Sequence, residues 1–192
     1  MLDAIRCRHL AIAGATGVTA GLVNWTLCTN AWSQSLVWCT FWVVLWMATV
    51  WDLCCMRIPN WLTLPGALVL VVLGLALAGQ GPVRPLLGLA VCAGGLSVLA
   101  WLTGGVGWGD VKLSLSIGAV FGPVLGMIAL TLAFSTAALC GGLLWGLGRL
   151  RAGQPFPFAP FLLAGCGLCF GVVPHLVSSY VPLAGLGGAS WA

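Results

Sequence analysis

The chain has 192 residues, of which 61% are hydrophobic and 5% charged, with a mean hydropathy of +1.12. Those values lie outside the range of soluble domains and identify an integral membrane protein that uses the lipid bilayer as its solvent. Six or seven spans of about 20 residues would consume nearly the whole length, so a separate soluble domain is excluded. The net charge of +4 comes from basic residues dispersed among loops; this pattern sets membrane topology and is no nucleic-acid-binding patch.

Seven hydrophobic segments are expected, giving an all-α, polytopic membrane helix bundle. The first runs from about Leu10 to Cys28, after Arg6 and Arg8, and carries Gly17 and Gly21 as a small-residue packing face. A signal-peptide core is the alternative, but Ala31-Trp32-Ser33 is a poor cleavage site, so a retained span is expected. The second segment covers about Leu36 to Trp51 and ends at Asp52, with Arg57 in the loop behind it. Asn60 is placed to cap the third, which closes near Gly79. Arg84 lies in the loop before the fourth segment, about Leu86 to Thr103.

A glycine-rich turn, Gly104 to Gly109, then leads to Asp110 at the head of a run from Val111 to Leu147. That run is too long for one crossing and is expected to break near Gly122-Pro123. The loop with Arg149 and Arg151 precedes the last segment, about Phe158 to Tyr180. Eleven tryptophans, several near the expected helix ends, suit an interfacial aromatic belt. If Arg6 and Arg8 are cytoplasmic, Arg57, Lys112, Arg149 and Arg151 return to the cytoplasm and only Arg84 does not, in accord with the positive-inside rule. The same parity brings Asp52 and Asp110 out on one face.

Chemistry must be sought among few groups. Glutamate is absent, and the aspartates are Asp3, Asp52 and Asp110. An ionisable group beside a membrane span is costly to keep, which makes Asp52 and Asp110 candidates for function. Two carboxylates held close share one proton: the ionised member can deprotonate a water attacking an amide, while the other protonates the carbonyl oxygen. Such a reaction needs no metal and no cofactor, and none is expected. Other protease signatures are missing: there is no His-Glu-x-x-His and no Gly-x-Ser-x-Gly, and the histidines are His9 and His175. Cys166-x-x-Cys169 stands alone without the second pair a zinc site wants, and most cysteines fall in apolar runs as small hydrophobes.

Gly107 and Gly109 are expected to give the turn positive φ and to let a peptide backbone approach Asp110. Lys112, the single lysine, either holds Asp110 ionised or snorkels to the interface. Arg57 reads as a topology anchor, and Pro59 and Asn60 as helix punctuation, with a site-shaping or substrate-binding role as the alternative for all of these.

Asp52 followed by Arg57-Ile58-Pro59-Asn60-Trp61-Leu62-Thr63, together with Gly107-Trp108-Gly109-Asp110-Val111-Lys112-Leu113, resembles the type IV prepilin peptidases. These are membrane aspartyl endopeptidases with a Gly-x-Gly-Asp motif. Pro157-Phe158-Ala159-Pro160-Phe161-Leu162 is a third echo, so the resemblance covers residues 36–180. It implies a six-span peptidase core over residues 36–192, with residues 1–35 as cytoplasmic residues and an extra helix. It further implies Asp52 and Asp110 as the catalytic pair and prepilins or pseudopilins as substrates. Their short basic leader would be cut at the cytoplasmic face of the inner membrane, which links the protein indirectly to pilus and secretion machinery. Larger members carry an insert with paired Cys-x-x-Cys zinc ligands and methylate the new N-terminus; this sequence lacks such pairs and resembles the short enzymes of Flp or Tad pili. A small transporter or proton relay using the two aspartates, and a non-catalytic assembly factor, are the competing readings. A relay predicts acids near mid-span and internal repeats, neither of which is found.

Overall fold

A computed structural model describes residues 2–29, 32–77, 81–148 and 157–180. Six helices account for almost all of them: α1 (Leu2–Thr29), α2 (Trp32–Cys55), α3 (Asn60–Ala76), α4 (Val83–Thr103), α5 (Trp108–Gly146) and α6 (Ala159–Tyr180). There is no strand among the described residues, so the protein is an all-α membrane helix bundle. Segments of α2, α4 and α5 are long and apolar enough to cross a membrane, while residues 11–24, 60–76 and 159–172 form shorter apolar helices. Arg149 and Arg151 of the expected basic loop, and the side chains of Arg6, Arg8 and His175, lie outside the described residues.

The expected break in the long run is present. Gly122 has φ 77° and ψ −175°, a left-handed conformation that only glycine adopts easily, and Pro123 follows. The two limbs of α5, residues 108–121 and 123–146, fold back on each other there. A methyl built on Gly126 would lie 3.6 Å from the Gly118 Cα, whereas eight residues of continuous helix separate two positions by about 12 Å. Seven helical limbs therefore match the seven expected segments.

α5 is the hub, packed against α2, α3, α4 and α6, while α1 rests on α2 and α6. Lipid tails are as apolar as leucine, so burial alone does not drive helices together in a bilayer; close packing does. Small residues provide it here. Gly88 of α4 and Gly118 of α5 meet so tightly that a methyl on either would overlap the other's carbonyl oxygen. Gly126 sits under the thiol of Cys92, and Gly165 of α6 lies against the backbone of Ala129 and Ala133. Cys92, Cys166 and Cys169 are buried and pack as small apolar groups, as expected.

The two ends of the bundle differ in character. One end is closed by aromatic rings: Trp38 and Phe41 of α2 lie 5.1 and 5.6 Å from Phe121, and Trp42 lies 5.7 Å from Phe170. Arg84 is at this end, against Gly122. The other end gathers the C-terminus of α2 and the N-termini of α3, α5 and α6, and with them Asp52, Arg57, Asp110 and Lys112. Exposed Trp51, Trp61, Trp101, Trp108 and Trp145 lie near helix ends, as an aromatic belt requires.

Candidate active site

Asp52 sits one turn before the end of α2, which runs on from the expected end at Asp52 to Cys55. Only 7% of the residue is exposed. Its Oδ2 accepts a hydrogen bond from the Ala159 N–H at 3.0 Å. One turn earlier on α2, the Thr49 hydroxyl lies 3.4 Å from the carbonyl oxygen of the same Ala159. Both polar groups of the first residue of α6 are thus held by α2. A helix C-terminus disfavours a negative charge, and here the N-terminus of α6, with its free N–H groups, supplies the compensation.

The chain leaves α2 through an abrupt reversal. Met56 has φ 51°, a left-handed conformation costly for a side chain with a Cβ, and its N–H bonds the Asp52 carbonyl at 2.8 Å. Arg57 and Ile58 follow, and Pro59 caps α3 with its φ of −72°. α3 begins at Asn60 with no side-chain cap, so Asn60 does not cap it as expected; its Oδ1 accepts a hydrogen bond from Lys112 Nζ at 2.8 Å. Lys112 thus reaches α3, and residues two apart on a helix do not share a face, so Asp110 is directed elsewhere, into the cleft described below.

Asp110 lies in the first turn of α5, which starts at Trp108, with its N–H bonded to the Gly107 carbonyl at 3.0 Å. The N-terminal end of the helix dipole favours its carboxylate. The expected positive φ at Gly107 and Gly109 is not found: Gly107 has φ −70° and ψ 139°, and the positive-φ glycines among the described residues are Gly104, Gly122 and Gly148. Space is what these two positions require. A methyl on Gly107 would stand 3.1 Å from Asp110 Oδ2, and one on Gly109 would stand 3.1 Å from the Ile58 Cβ.

Asp52, Met56, Arg57 and Ile58 form one wall of a cleft of about 290 Å³, and Gly107, Trp108, Gly109 and Asp110 form the other. Two acids 58 positions apart in the chain thus face one space at one end of the bundle. Arg57 is exposed in the wall. Pro59, Asn60 and Lys112 are not among the lining residues. The sequence reading did not single out Met56, Ile58 and Trp108 as lining residues, or the Ala159 amide as a partner of Asp52. Only the Pro157-Phe158-Ala159-Pro160 string hinted at the last, as the start of a helix.

A family model described as the type IV leader peptidase family matches residues 39–143, which include both aspartates and both walls of the cleft. Over 94 residues, 46% of this chain and 36% of the other, the sequence is 42% identical to a prepilin leader peptidase/N-methyltransferase of Bacillus subtilis (strain 168). The match spans about a third of that curated relative's length. No solved structure matches.

Proposed function

The chain belongs to the type IV leader peptidase family, and from that premise we propose that it is an aspartyl endopeptidase acting on prepilins or pseudopilins. The observation that carries the reading is the cleft shared by Asp52 and Asp110. With one proton between the two carboxylates, the ionised member draws a proton from a water molecule as it attacks the scissile carbonyl carbon. The protonated member donates to the carbonyl oxygen, and the resulting tetrahedral intermediate collapses with protonation of the leaving amine. The N-termini of α5 and α6 stabilise the negative charge that this cycle moves about the pair. Residues 36–192 form the peptidase unit in this reading, and residues 1–35 add the extra helix α1.

Topology follows the basic residues. Arg57 and Lys112 share the end that bears the cleft, and Arg84 lies at the other. By the positive-inside rule the cleft opens to the cytoplasm from the inner membrane. There it meets the short basic leader of a substrate whose apolar helix stays in the bilayer. A Flp-type pilin is the substrate class proposed, and the leader-cleaving half of the B. subtilis relative's named activities is the half assigned here.

Asp52→Asn and Asp110→Asn, each alone, are expected to abolish cleavage of a co-expressed prepilin, scored as loss of its mobility shift on a gel, while membrane insertion persists. Retained cleavage by either variant would overturn the assignment. A proton relay is disfavoured because both acids line a cleft at helix ends and neither is placed at mid-span.

A further inference from the structure

The chain segments that form the two walls of the cleft are joined at two points. Ile58 of the first wall packs on Gly109 of the second, filling the space a side chain at 109 would need. Two residues after Ile58 and three after Gly109, Lys112 Nζ donates to Asn60 Oδ1 at 2.8 Å. Between this junction and Asp52 lies Met56, whose left-handed backbone is the least comfortable conformation in the turn. Its N–H bonds the Asp52 carbonyl, so any relaxation at Met56 acts on the helical turn that aims the Asp52 carboxylate.

We propose that the Lys112–Asn60 hydrogen bond is a clasp that fixes the separation of the two walls, and thereby of the two carboxylates, making Asn60 and Lys112 positioning residues for peptide hydrolysis. The geometry explains why a polar pair is used. Asn60 opens α3 and Lys112 lies in the first turns of α5, so one bond ties together the two helix N-termini that flank the site. Ile58 on Gly109 is an apolar contact and can slide; a directed bond beside it sets the register. The ammonium is also directed to a neutral acceptor on α3, which leaves the proton of the pair to be shared between Asp52 and Asp110 without a third charge bound to either.

The proposal rests on the peptidase reading, and its test separates the two. The enzyme is reconstituted in vesicles with a prepilin bearing a basic leader ahead of an apolar helix, and kcat and KM are measured separately. Asn60→Ala is expected to lower kcat roughly tenfold to a hundredfold, the scale of an ångström-level misplacement, with KM changed much less. Asn60→Asp, which keeps an acceptor for Lys112, is expected to recover most of the rate, and Lys112→Met to reproduce the loss. The double variant Asn60→Ala/Lys112→Met is expected to be no slower than the worse single variant, because both remove one bond. Normal turnover by Asn60→Ala, additive losses in the double variant, or no recovery by Asn60→Asp would overturn the clasp. Cleavage surviving Asp52→Asn or Asp110→Asn in the same assay would instead overturn the peptidase reading. Unfolding midpoints in detergent measured on each variant separate a misfolded protein from a mispositioned site: a kcat loss at unchanged midpoint supports the clasp, and a loss that merely tracks the midpoint overturns it.

Discussion

At the scale of single residues, Asp52 owes its setting to a group that carries no side chain at all. The Ala159 N–H bonds it at 3.0 Å, and Ala159 is the first residue of α6, a position where proline fits a helix and lacks only the donor. Ala159→Pro is therefore expected to keep α6 but lower kcat at least tenfold, because a buried charge-assisted hydrogen bond is lost; a steady-state assay on the inserted variant checks this. Lengthening either acid tests placement: Asp52→Glu and Asp110→Glu move the carboxylate by about one methylene, and a hundredfold loss of cleavage rate is expected. Met56 offers the opposite sign. Glycine adopts φ 51° freely, so Met56→Gly is expected to raise the unfolding midpoint, by about 1 kcal/mol of stability. The aspartates themselves were legible in the sequence because acids are so scarce in it. The partner amide was not, since a backbone donor leaves no compositional trace.

Among the helices, packing depends on where side chains are missing. Gly118 and Gly88 touch backbone to backbone, so Gly118→Ala must push α4 away from α5 and is expected to cost about 3 kcal/mol or more. Gly14 of α1 is helical yet has open space around its Cβ position. Gly14→Ala is expected to be neutral or to stabilise by up to about 1 kcal/mol, since alanine is the better helix former. Detergent-titration midpoints for the pair of variants check both signs. Hydrophobic runs and the Gly122-Pro123 signal made every limb readable in advance. Which glycines would be contacts was not readable, because a glycine at an interface and one facing lipid look alike in a chain this rich in them. Helix ends were misjudged for a related reason: the reading gave Asn60 the local role of a cap, and its actual partner, Lys112, lies 52 positions away.

For the molecule as a whole, the two ends of the bundle differ in chemistry. Aromatic rings seal the end that holds Arg84, and the acids, Arg57, Lys112 and the glycine turn gather at the other. Charge parity in the sequence foresaw that Asp52 and Asp110 share an end, because counting crossings requires no knowledge of packing. The order in which helices surround α5 was not foreseeable, as every segment is apolar on most of its surface. The fold back at Gly122 leaves a short limb at the centre of the bundle. The limb that begins beside Asp110 holds about 14 residues and reaches roughly 21 Å, short of a hydrocarbon layer of about 30 Å. From Val111 to Phe121 most of it is buried among the other helices, and its far end meets Trp38, Phe41 and Arg84. A helix enclosed in this way can stop short of the far leaflet, because protein and not hydrocarbon receives its end.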